Sequence, residues 1–183
     1  MKKNIGSTLA LYPTPAVVVG AIVDGKPNWL LVAHLGIIGH DRVMVSMAKA
    51  HYTNHGITES HRLSINIIDE ALLPLADVAG CESGRKHDKS HLFEYTLSDN
   101  GTPFIDASPL VMDCEVVDNY ETETFDNFIC KISATLANDD ILTEQGKVDY
   151  NKLKPILFEM PTYSYLRTGE MIGKCTTLRK KSV

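Results

Sequence analysis

The chain has 183 residues, 44% of them apolar and 22% charged, with a formal net charge of −5. That length supports one ordinary core, so a single domain over residues 1–183 is expected. The acidic balance excludes a general nucleic-acid binder, and no apolar run approaches the ~20 residues of a membrane helix.

The N-terminus opens on two lysines, but Tyr12-Pro13-Thr14-Pro15 interrupts the apolar stretch behind them. No signal peptide is read, and a cytoplasmic protein is expected. Residues 16–23 are rich in valine and end at Asp24-Gly25-Lys26-Pro27, a turn signal. Apolar patterning resumes over residues 28–35, so the two segments read as a hairpin. Residues 42–48 and 63–68 alternate as strands, and residues 110–120 and 127–137 read as longer ones. Helices are expected over residues 53–60, 70–79 and 148–153, with one further turn over 88–93. Pro74 falls in the first turn of the second helix or kinks it. Strands outweighing short helices, without regular βαβ alternation, predict a mainly β (α+β) fold, a β-barrel with helical additions.

Cys81, Cys114, Cys130 and Cys175 form no CxxC pair and read as scattered buried thiols in a reducing compartment. His51/His55 and His87/His91 have the spacing that stacks two imidazoles on one helix face, as in zinc sites. Neither pair carries the adjacent glutamate of a zincin, so no metal site is expected. Gly80-Cys81-Glu82-Ser83-Gly84 does not centre its serine as a nucleophile elbow requires.

Phosphate binding has better support. Ser46, Lys49, Tyr52, Thr53 and Asn54 gather hydroxyl, ammonium and amide donors near a helix start, where free N–H groups favour an anion. Residues 83–89, Ser83-Gly84-Arg85-Lys86-His87-Asp88-Lys89, form a basic loop that suits a dianion or serves as a solvated connection. The strand Asn28-Trp29-Leu30-Leu31-Val32-Ala33 leading to His34 has the character that a flat cofactor on a strand edge requires.

Together these segments resemble the flavin reductase-like proteins, flavoredoxins in particular. Leu11-Tyr12-Pro13-Thr14-Pro15 followed by valines, residues 45–54, Ser64-Ile65-Asn66-Ile67, and the Ser83-Gly84-Arg85…Asp88-Lys89 loop occur in that order. Lys152-Leu153-Lys154-Pro155 and residues 169–174 continue the likeness. The resemblance implies an FMN-binding split β-barrel, non-covalently bound FMN, and a homodimer in which the second subunit supplies part of the site. It places residues 28–33 along the isoalloxazine, and Thr53, Ser46 and Lys49 at the ribityl phosphate. Lys89 then reaches in from the basic loop, and Tyr163 or Tyr165 covers the ring.

Two departures stand out. The family often has tryptophan at His34. It commonly has a histidine where this chain has Phe125, which offers no hydrogen bond and no exchangeable proton. His34 supplies an imidazole, the side chain suited to proton exchange near neutrality. The implied function is electron transfer through FMN, with NADH, NADPH or another redox protein as donor. The alternative is a flavin- or ligand-binding split-barrel module without turnover.

Overall fold

A computed structural model describes residues 1–176; residues 177–183, the end of the expected domain, lie outside the described residues. The elements are β1 (Thr14–Pro15), β2 (Val17–Val23), β3 (Lys26–Val32), β4 (Leu35–Ile37), β5 (Arg42–Ala48), α1 (Thr53–Ser60), β6 (Arg62–Ile67) and α2 (Leu73–Cys81). They continue with β7 (Tyr95–Leu97), β8 (Pro103–Ile105), β9 (Leu110–Glu121), β10 (Phe125–Ala137), α3 (Tyr150–Leu153), β11 (Leu157–Glu159) and β12 (Ser164–Leu166).

The first hairpin follows from its two-residue loop. Asp24 and Gly25 both have positive φ, 50° and 76°, the backbone of a type I′ turn whose twist matches the flanking strands. Seven strands then form one antiparallel sheet, in the order β3-β2-β6-β9-β10-β5-β4. Its two edge strands, β3 and β4, are consecutive in the chain. The sheet therefore curls until its edges meet at the short link Ala33-His34, which closes a split barrel. The Ser46 amide of β5 donates to the His34 carbonyl at 2.8 Å, carrying the β4–β5 pairing into that link.

Side-chain alternation divides the core in two. Val17, Val19 and Ala21 of β2 point into the barrel with Val45, Met47, Leu63, Ile65 and Phe128. Ala16 and Val18 point outward, where with Trp29 and Ile68 they pack against Ala76 and Ala79 of α2. Helix α1 lies close on β2: a Cβ added at Gly56 would sit 2.0 Å from the Ile22 carbonyl oxygen. Gly56→Ala is therefore expected to destabilise the fold by about 1–3 kcal/mol through overpacking, read as a lowered Tm.

Several expectations need correction. The strand expected over residues 28–35 ends at Val32, because the chain changes partner from β2 to β5 at Ala33-His34. Helix α2 begins at Leu73 rather than at residue 70, since the Asp69 carboxylate accepts from the amides of Ala71 and Leu72 and holds a turn. Pro74 lies in the first turn of that helix. Residues 88–93 form no helix; Asp88 accepts from the Ser90 amide at 2.9 Å, a local bond that competes with helical pairing. Helix α3 starts at Tyr150 because Asp149 caps it through the Asn151 amide. Cys114 and Cys130 are buried, but Cys81 and Cys175 are exposed. His51 precedes α1, and neither His87 nor His91 is helical, so neither histidine pair shares a helix face.

Candidate functional site

Two adjoining cavities of about 290 and 230 Å³ open along β3 on the side facing β5 and α1. They share Leu30 and His51, and together they reach the size of small-molecule sites, about 300–1,000 Å³. Asn28, Leu30 and Val32 alternate toward them, as strand geometry requires. Trp29 points the other way: it is fully buried in the outer core, with its ring edge-on to Phe93 at 5.6 Å. Its side chain is thus unavailable to a ligand. Leu31 lines the smaller cavity and also packs against the outer core. Ala33 lines neither cavity, and its carbonyl accepts from Thr14 Oγ1 at 2.8 Å.

The smaller cavity is walled by Leu30, Val32, Met47, Ala48, Phe125 and Met160, with His34, His51 and Ser46 as its polar groups. No carboxylate or ammonium lines it. His34 and Phe125 face each other with ring centroids 6.0 Å apart, and Tyr12 Oη lies 2.7 Å from His34 Nε2.

The larger cavity is polar. Asn28 Nδ2 donates to Thr53 Oγ1 at 2.7 Å, and both residues are buried. With its oxygen so used, the Thr53 hydroxyl keeps its hydrogen for another acceptor. Lys89 is only 4% exposed. Its ammonium donates to the carbonyls of Ala79 (2.9 Å) and Glu82 (3.1 Å) at the C-terminal end of α2. An ammonium has three hydrogens, so one remains for a ligand. Burial pushes the Lys89 pKa down to about 8, opposed by nearby Glu82. His51 is held below its ordinary value by burial and by the Lys89 charge, which favours its neutral form.

Ser83 and Gly84 close the floor of this cavity. A Cβ at Gly84 would meet Asn28 Oδ1 at 2.3 Å and Tyr52 Cδ1 at 2.8 Å. Tyr52 lines the same cavity and bonds the Asp24 carboxylate through its hydroxyl. Beyond Asn28 and Gly84 the groove continues into a basin of about 300 Å³ that includes Arg85 and Lys86. Arg85 sits over the Tyr52 ring at 5.8 Å.

The expected phosphate cluster is divided by the structure. Thr53 and Tyr52 stand at the Lys89 end. Ser46 stands at the His34 end, and its hydroxyl donates to Asn127 Oδ1 at 2.7 Å. Lys49 lines neither cavity; it pairs with Glu121 at 2.6 Å, a bond that raises its pKa. Asn54 is also turned away, donating to Asp126 Oδ2 at 2.7 Å and clamping α1 to β10. Tyr163 and Tyr165 line neither cavity of this chain. Tyr163 is 73% exposed, and Tyr165 donates to Asp77 at 2.6 Å on the α2 side.

His51, Tyr12 and Met160 belong to the site without having been expected there. His51 adjoins the Tyr52-Thr53 pair, which was a usable signal. Tyr12 and Met160 meet His34 only through the fold. A larger concavity, about 690 Å³, lies elsewhere, between His61 and the bulged segment Glu115, Val116, Val117 and Asp118. Among the described residues it is lined by two carboxylates and no ammonium, whereas Lys89 lines the polar cavity, beside Glu82.

A family model for a flavin reductase like domain matches residues 9–159. The structure is similar to that of flavoredoxin from Methanosarcina acetivorans, with 31% identity and a TM-score of 0.93 over 97% of each chain. Flavoredoxin of Desulfovibrio vulgaris (Miyazaki F) is similar at 29% identity and a TM-score of 0.89, covering 97% of this chain and 99% of that one. An FMN-binding protein from Thermus thermophilus, solved with bound 1-cyclohex-2-enone, shares the fold at 20% identity and a TM-score of 0.82, covering 95% and 99%. No curated protein sequence matches the chain. A family match over most of the length, a split barrel, and a groove running from an uncharged cavity to a buried ammonium agree: the chain belongs to the flavin reductase-like family.

Proposed function

We propose that this chain is a single-domain FMN-binding flavoprotein that transfers electrons through non-covalently bound FMN. The observation that carries this reading is the polarity of the groove: an uncharged cavity at His34 leads without a break to Thr53 and Lys89. The donor set fits the molecule. A flat, uncharged ring suits the apolar end, and a phosphate suits a buried ammonium and a free hydroxyl. The likeness to two flavoredoxins supports the same assignment.

When bound, FMN supplies the redox chemistry. The residues of this chain bind and orient it. Asn28 and Thr53 hold the polar chain, and Lys89 balances phosphate charge. Leu30, Val32 and Met47 exclude water from one side of the ring site. His34 is the proton-exchanging group at that end, in place of the histidine that Phe125 displaces. NADH or NADPH is the proposed donor, with another redox protein as the second choice. A homodimer is part of the proposal: Leu9, Leu11, Tyr163 and Ile172 are exposed apolar groups suited to a second copy. A cytoplasmic location is also part of the proposal, in keeping with four free cysteines. No described helix is long and apolar enough to cross a membrane.

Anaerobic mixing of the FMN-loaded protein with NADH and with NADPH tests the donor. Bleaching of the flavin band by either identifies a reductase. No bleaching by either leaves a redox-protein donor or the non-catalytic module, and transfer from dithionite-reduced flavin to an acceptor protein then separates those two. Gly84→Ala is expected to weaken FMN binding on the order of tenfold or more by displacing Asn28 from Thr53. Wild-type affinity in that variant, from a fluorescence titration, would move the site away from Asn28.

A further inference from the structure

We propose that Tyr12 is a positioning residue for His34, fixing the imidazole so that Nδ1 is the nitrogen that presents a proton to the ligand. This rests on the FMN reading above. Tyr12 Oη stands between two groups of the cavity wall, 2.7 Å from His34 Nε2 and 3.4 Å from Met160 Sδ.

A phenol has one hydrogen and can donate it to one partner at a time. An imidazole nitrogen is a far better acceptor than a thioether. While His34 is neutral, the phenol hydrogen therefore goes to Nε2, and the ring hydrogen stays on Nδ1. When His34 is cationic both nitrogens carry hydrogen. Nε2–H then donates to Tyr12 Oη, and the phenol hydrogen turns to Met160 Sδ. Both states are satisfied by the same three residues, and in both Nδ1 bears the hydrogen.

Among the described residues Nδ1 has no hydrogen-bond partner, so it is the nitrogen left for a ligand. The other titratable groups facing His34 are Tyr12 itself and His51, and no carboxylate or ammonium lines the cavity. Phe125, ring to ring with His34, cannot compete for either nitrogen. The proton step balances simply. One proton leaves Nδ1 of the cation for a basic atom of the ligand. That leaves His34 transiently as the Nε2–H tautomer, donating to Tyr12 Oη while the phenol hydrogen stays turned to Met160 Sδ, until a proton from solvent returns to Nδ1 and restores the cation. No electron passes through these side chains.

Nitrogen-15 NMR of histidine-labelled, flavin-free protein reads the tautomer directly, at a pH where His34 is neutral. Wild type is expected to carry the hydrogen on Nδ1. Tyr12→Phe, which keeps the ring and removes the hydroxyl, is expected to shift His34 toward the Nε2–H form. The same tautomer in both proteins, or Nε2–H in wild type, overturns the assignment. With FMN bound, the pH at which the midpoint potential changes slope is expected to shift in Tyr12→Phe. A break that stays in place overturns the role toward the ligand. Wild type that binds no FMN overturns the flavin reading instead, whatever the tautomer shows.

Discussion

FMN affinity is expected to hold steady between about pH 7 and 8, where the phosphate is a dianion, and to fall by up to about tenfold per pH unit above it, a dependence that disappears in Lys89→Met. The cause is the buried ammonium. Burial depresses its pKa to about 8, so in the flavin-free protein the charge is present below that pH and lost above it. A bound phosphate favours the charged form, so binding above pH 8 must take up a proton. The same linkage acts on the fold with its own sign. The native pKa lies below the value near 10.5 of an unfolded lysine. The unfolded chain therefore holds more protons between about pH 8 and 10.5, and this group's contribution to stability rises with pH across that window. Lys89→Met also removes the charge at pH 7 and is expected to weaken binding there by about 1–3 kcal/mol. Isothermal titration at several pH values measures both effects, with circular dichroism to verify folding. A flat pH profile in wild type would place the phosphate away from Lys89.

Thr53→Ala is expected to cost FMN binding a comparable amount, about 1–3 kcal/mol. Thr53 is almost fully buried, and its oxygen accepts the Asn28 amide. Alanine removes a donor to the ligand and leaves Asn28 Nδ2 without its partner inside the protein. Thr53→Ser keeps the hydroxyl and is expected to retain most of the affinity. Equal losses in the alanine and serine variants would point to packing of the methyl group instead.

The parts of the fold that local chemistry determines are legible in the sequence. Strand β5 and helix α1 span the residues expected of them, although no side chain caps the start of α1. The Asp24-Gly25 pair dictates the first hairpin because those residues tolerate positive φ. Segments whose conformation depends on one side chain's distant or competing partner are not legible. Asp69 and Asp88 draw neighbouring amides into turns where helical pattern alone predicts helix. β7, β8, β11 and β12 are each three residues long, too short for periodicity to register.

The site divides in the same way. Asn28, Thr53 and Lys89 are identified by a family resemblance along the chain, and the fold brings them to one cavity. Lys49 resembles a phosphate ligand in sequence, yet Glu121, 72 residues away, engages it. Trp29 is an attractive ring contact by position, but its place in the alternation of β3 sends it to the opposite core. Tyr12 and Met160 meet at His34 across 148 residues, a contact that no local spacing encodes.

Titration of the purified, flavin-free protein with FMN, followed by the visible flavin spectrum and fluorescence, tests the central claim most directly. The expected result is saturable binding of one FMN per chain, weakened in Lys89→Met and Thr53→Ala. A wild-type protein that takes up no FMN, or binds it equally well with both residues replaced, would contradict the account.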